Sequence, residues 1–77
     1  MKLYTVLQIT NEEANAFELG GIFSTEEKAI KACRDDNFCY IINELDYEYP
    51  LESVYGVTYF PTKNEIIYPN GEITKLL

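Results

Sequence analysis

Phe17-Glu18-Leu19-Gly20-Gly21-Ile22-Phe23-Ser24-Thr25-Glu26-Glu27-Lys28-Ala29-Ile30-Lys31-Ala32-Cys33 reads as a strand that runs into a capped helix. Residues 17–23 supply the strand. Gly20-Gly21 inside it marks a bulge or a close backbone approach. Ser24-Thr25-Glu26-Glu27 fits a capping box, with Ser24 as N-cap and Glu27 reaching back to the Ser24 amide. Glu26 and Glu27 also suit the positive end of the helix dipole. Ala29, Ile30 and Cys33 then fall at helical spacing and form the predicted buried stripe, with Ala32 at its edge. Lys28 and Lys31 point outward. Asp35-Asp36-Asn37 is expected to end the helix after about three turns, with Asn37 in the left-handed cap conformation.

Strand patterns lie on both sides of this unit. Residues 2–10 place Leu3, Thr5, Leu7 and Ile9 on one face and Tyr4, Val6, Gln8 and Thr10 on the other. Apolar groups on both faces predict a central strand. Residues 11–15 read as a hairpin loop. Residues 38–46 form a third strand, with Phe38, Tyr40 and Ile42 opposite Cys39, Ile41 and Leu45. Residues 54–60 alternate again, and residues 61–64 make a turn. Residues 65–68 and 72–76 flank Pro69-Asn70-Gly71, where Asn-Gly favours a tight hairpin. The order predicts one α+β domain over residues 1–77. Its plan is a small, mostly antiparallel sheet with one helix on one face: β-β-α-β, then a carboxy-terminal β meander or hairpin. One helix cannot cover such a sheet, so the remaining surface is solvated, folded over by the meander, or covered by another molecule.

Charge is unevenly placed. Residues 11–52 hold eleven acids and three bases, a net −8, while residues 53–77 balance to zero. Lys2 brings the whole chain to −7. Such a chain repels nucleic acid and favours a basic partner. No apolar run is long enough to span a membrane, and the amino terminus lacks the pattern of a signal peptide. A cytoplasmic protein with reduced cysteines is expected.

The residues offer little catalytic chemistry. His is absent, which rules out His-based triads, bases and metal sites. Cys33 and Cys39 have five residues between them, which matches no common zinc or redox motif. Cys33 lies on the predicted buried stripe, where a thiol acts as a small hydrophobe. A Cys33–Cys39 disulfide requires the helix end and third strand to bring the two together. Glu12-Glu13, Glu26-Glu27 and Asp35-Asp36 read as solvated loop or helix-end residues, though Asp35-Asp36 opposes the helix dipole and could meet a cation. Neither an EF-hand nor a phosphate-binding glycine pattern is present. No catalytic residue, metal ligand or cofactor is expected.

The most functional-looking stretch is Glu44-Leu45-Asp46-Tyr47-Glu48-Tyr49-Pro50-Leu51-Glu52. Tyr rings give contact area at low entropic cost, and the acids steer a basic partner. Glu44, Asp46, Tyr47, Glu48, Tyr49 and Glu52 are the candidate partner-binding residues. The bland alternative is a strand end with core-facing Tyr and solvent-facing acids.

Tyr4-Thr5-Val6, then Leu19-Gly20-Gly21-Ile22-Phe23-Ser24-Thr25-Glu26-Glu27-Lys28-Ala29, then Glu44-Leu45-Asp46, together resemble a pattern common in small phage and bacterial proteins. The resemblance covers residues 3–46. It implies a small αβ module of phage origin and carries no catalytic residues. The expected function is that of a non-enzymatic accessory protein that binds and modulates a host protein with a basic or apolar surface. Two alternatives stand beside it: an acidic nucleic-acid mimic that inhibits a nuclease or other defence enzyme, and a homo-oligomeric structural protein.

Overall fold

The computed structural model describes residues 1–11, 16–47, 57–68 and 72–75. The described residues form a six-stranded sheet and one α-helix. The elements are β1 (Lys2–Asn11), β2 (Ala16–Phe23), α1 (Glu26–Ala32), β3 (Phe38–Glu44), β4 (Thr58–Phe60), β5 (Glu65–Ile67) and β6 (Ile73–Lys75), with a 3-10 turn at Pro61–Lys63. The spatial order is β2-β1-β3-β4-β5-β6. Every neighbouring pair is antiparallel. The fold is α+β, and β1 occupies the interior position that its two-sided apolar pattern predicts.

Alternation divides the side chains between two faces. Val6 opposes Tyr40, Tyr4 opposes Ile42, and Gln8 opposes Phe38 across the β1–β3 ladder. These residues share the helix side. Val6, Ala29, Cys33, Phe38 and Tyr40 form its buried cluster, edged by Tyr4, Phe23, Ala32, Ile42 and Tyr59. Tyr40 stacks on Tyr59 with ring centroids 5.0 Å apart. Tyr4 meets Tyr40 edge-on at 6.3 Å. Aromatic pairs in these arrangements add to the burial energy, which explains how a thin core holds so many Tyr rings.

The glycine pair acts as the sequence suggests. The β1–β2 register shifts between Val6 and Leu7, where Val6 opposes Gly21 and Leu7 opposes Leu19, leaving Gly20 as the extra residue of a bulge. A Cβ on Gly20 would lie 3.1 Å from Val6 Cγ1 and 3.2 Å from the Val6 carbonyl oxygen.

The helix differs from its expected form in four ways. Thr25, not Ser24, is the N-cap: its backbone is extended and its hydroxyl accepts the Lys28 N–H at 3.3 Å. The third helical residue is then Lys28 rather than Glu27, so the capping box does not form. The helix has seven residues, about two turns rather than three. Ala29 and Cys33, four residues apart, then reach the core, with Ala32 packed at its edge as expected. Ile30 is exposed, which removes it from the predicted stripe. Finally, α1 closes at Cys33, whose N–H donates to the Ala29 and Ile30 carbonyls. Asn37 is not left-handed. Its N–H donates to Asp35 Oδ1 at 2.8 Å, and its carbonyl accepts the Ile9 N–H at 2.7 Å, which docks the turn on β1.

Other boundaries shift by a few residues. β3 stops at Glu44 because Asp46 takes a positive φ of 59° and turns the chain. β4 is confined to Thr58–Phe60; residues 54–56 of the predicted strand lie outside the described residues. Pro61–Lys63 closes through Asn64, whose backbone is left-handed. β5 and β6 pair Ile66 with Thr74, whereas Pro69-Asn70-Gly71 lies outside the described residues.

The face away from the helix is open at β2. Phe17 opposes Ile9, Leu19 opposes Leu7 and Ile22 opposes Thr5, so all three side chains point to that face. They are 42, 65 and 57% exposed. Exposure falls across the sheet: Leu7 is half-buried and Cys39 is buried.

Candidate functional site

The carboxy end of β3 carries the described part of the acidic-aromatic segment. Lys2 opposes Glu44 in the β1–β3 ladder, so the amino terminus lies beside the end of β3. The Leu45 N–H donates to the Met1 carbonyl at 2.8 Å. The amino-terminal ammonium lies 3.5 Å from Glu44 Oε2. At this exposure such an ion pair contributes little to stability. It does hold Met1 over the strand end. Asp46 then reverses the chain and leads into Tyr47.

Met1, Leu45 and Tyr47 are all exposed, as are Glu44 and Asp46. Exposed apolar side chains and carboxylates thus alternate along the strand end from Glu44 to Tyr47, with Met1 bonded beside Leu45. Tyr47 is exposed, which counters the alternative of a core-facing ring at this position. Glu44, Asp46 and Tyr47 of the candidate set are brought together at this end. Glu48, Tyr49 and Glu52 lie outside the described residues. Sequence reasoning missed Met1, because its place beside Leu45 follows from the pairing register rather than from local pattern.

The two cysteines sit on different elements, Cys33 at the end of α1 and Cys39 in β3. Both are buried free thiols. Cys33 belongs to the helix-side cluster. Cys39 alternates with Phe38 and Tyr40, and its thiol donates to the Leu7 carbonyl at 3.7 Å. Neither thiol is in a disulfide. Burial pushes each thiol up to about 11; the neighbouring Cys33 adds to the effect at Cys39. A nucleophilic cysteine needs the opposite shift, toward thiolate at neutral pH.

Asp35 and Asp36 have local partners. Asp35 holds the turn at Asn37, and Asp36 Oδ1 accepts the Thr62 hydroxyl at 2.7 Å. They therefore join the helix end to the 3-10 turn. Among the described residues, no group of three or more His, Cys, Asp or Glu side chains is placed to hold a metal ion. No helix among them is long and apolar enough to cross a membrane.

A groove of about 240 Å³ lies between α1 and the β4–β5 turn, lined by Ile30, Tyr40, Tyr59, Phe60 and Pro61 with Asn64 and Glu65 at its end. It is smaller than the usual small-molecule site. Ile30, displaced from the core by the short helix, forms one wall. Comparison with known protein families, with curated proteins and with solved structures finds no match to this chain.

Proposed function

We propose that this chain is a non-enzymatic, phage-type accessory protein that binds and modulates a host protein in the host cytoplasm. The contact is the carboxy end of β3. The observation that supports this reading best is the joint exposure of Met1, Leu45 and Tyr47 beside Glu44 and Asp46. The apolar groups supply contact energy, and the acids select a partner whose apolar pocket is rimmed by Lys or Arg. In sequence, Glu48, Tyr49 and Glu52 continue the same alternation. The absence of His and the upward-shifted, buried thiols fit a protein that works by binding.

The test compares the proteins retained from a bacterial host lysate by the immobilised wild type and by Leu45→Ala/Tyr47→Ala. Asp46→Asn is run beside them, since Asn tolerates the left-handed backbone while removing the charge. One stoichiometric host protein, lost with the double variant and weakened with Asp46→Asn, supports the proposal. The same protein recovered equally by all three chains defeats it. A complex abolished by salt yet indifferent to Leu45 and Tyr47 fits a nucleic-acid mimic instead.

A further inference from the structure

We propose that β4, β5 and β6 open and reclose as one flap, parting from β3 and α1 while β1, β2, β3 and α1 stay folded together. The buried cluster lies on one side of this division. Its members Val6, Ala29, Cys33, Phe38 and Tyr40 come from β1, α1 and β3, and Tyr59 of β4 joins it at the edge. α1 packs on β1, β2 and β3. Phe60, the buried residue of β4, lies outside that cluster, with Lys63 Nζ of its own unit 5.3 Å from its ring centroid. Elements that share little of the core open at lower free energy than the core itself.

Strand pairing divides the sheet at the same place. Among the described residues, β3 meets β4 at Tyr40–Tyr59 and Ile41–Thr58. β1, by contrast, pairs with β3 all the way from Lys2–Glu44 to Gln8–Phe38. Inside the flap, pairing runs through every residue of the short strands, from Thr58–Ile67 to Phe60–Glu65 and from Glu65–Lys75 to Ile67–Ile73. The Glu65–Lys75 ion pair at 3.8 Å also lies within it. The flap is therefore tied to itself more extensively than to β3. The Tyr40–Tyr59 stack and the Thr62–Asp36 hydrogen bond span the boundary. So does the groove between Ile30 on α1 and Phe60 and Pro61, which leaves packing there incomplete. Opening parts the groove walls and uncovers Tyr40 and Tyr59, an aromatic surface that the closed chain holds in reserve.

Native-state hydrogen exchange of the full chain, read residue by residue by NMR at several low urea concentrations, provides the test. Hydrogen-bonded amides of β4, β5 and β6 should exchange at least about tenfold faster than the slowest amides of β1 and β3. They should share one urea dependence, shallower than that of β1 and β3, because opening exposes less surface than global unfolding. Gly21→Ala strains the β1–β2 ladder in the open and closed forms alike. It should speed the slowest β1 and β3 amides about 5–150-fold and leave exchange in the flap unchanged. Should that variant fail to fold, Thr25→Ala, which weakens α1 in both forms, should give the same split with a change of about fivefold. One rate and one urea slope across all strands would make the fold a single cooperative unit and overturn the proposal. Flap amides that each exchange at their own rate, with no urea dependence, would also overturn it, since that is fraying of separate strands. Equal acceleration of the flap and of β1 and β3 in the variant does the same.

Discussion

The Tyr40 hydroxyl donates to Glu26 Oε2 at 2.8 Å and so ties the first turn of α1 to the middle of β3. Tyr40 is buried and stacked on Tyr59, whereas Glu26 is exposed at the helix start. Burial, and then the bond to Glu26, push the phenol well above its ordinary range. Tyr40→Phe keeps the ring and removes only the hydroxyl. Glu26 can then turn to water, so no buried group is orphaned. The expected loss is about 1 kcal/mol, the net value of an ordinary hydrogen bond. Urea denaturation reads it directly. Glu26→Gln should cost a similar amount, and the double variant should cost less than the sum, because both changes break one bond. Full additivity would show that the bond contributes nothing.

The start of the same helix gives a sharper discrimination. Thr25→Ala removes the hydroxyl that accepts the Lys28 N–H and should cost about 1 kcal/mol. Ser24→Ala should stay within about 0.5 kcal/mol, the range of an exposed site without a special role. Equal losses at both positions, or the reverse order in thermal unfolding, would return the cap to Ser24.

Local pattern made the strands legible because alternation survives in Leu3–Ile9 and Phe38–Ile42, where one side meets the helix. It also gave the bulge, since adjacent glycines in a strand have few other uses. The cap was off by one because Ser24 and Thr25 are chemically equivalent candidates. The choice between them depends on where Phe23 leaves its pairing with Tyr4, a tertiary fact. Ile30 departs from the expected stripe for a related reason: helical spacing identifies a stripe, but a two-turn helix buries Ala29 and Cys33 with Ala32 at the edge and leaves Ile30 exposed. At the candidate site, the acids and Tyr47 were readable from composition. Met1 beside Leu45 was not, because their contact joins opposite ends of a long sequence interval. The row at Phe17, Leu19 and Ile22 could not be assigned to the open face until the helix had chosen the other one.

Gly21 combines two constraints that an alanine would violate. Its φ of +154° is rarely adopted by residues with side chains, and an added Cβ would lie 2.9 Å from the Phe23 ring. Phe23 packs at the edge of the helix-side cluster, so its ring has limited room to withdraw. Gly21→Ala should cost about 1–3 kcal/mol, the range for a strained backbone position. The denaturation midpoint measures this, and hydrogen exchange should show the loss concentrated in the β1–β2 ladder. Wild-type stability would mean that the bulge relaxes at no cost.

The buried thiols make stability fall at alkaline pH. Burial raises both Cys33 and Cys39 to about 11 in the folded chain, while an unfolded thiol ionises near pH 8.5, at about the ordinary cysteine value. Between those values the unfolded chain holds fewer protons than the folded one. Stability therefore decreases as pH rises. Its contribution is fully present below about pH 8.5 and is lost progressively as pH passes about 11. Urea midpoints measured across that window should decline, and Cys33→Ala/Cys39→Ala should flatten the decline even though it lowers stability throughout. A thiol reagent at neutral pH offers an independent check: labelling should be slow in the native chain and fast in urea, because protonated, buried sulfur is a poor nucleophile. Rapid native labelling, or an equally steep alkaline decline in the double variant, would show that the two thiols are not the groups responsible.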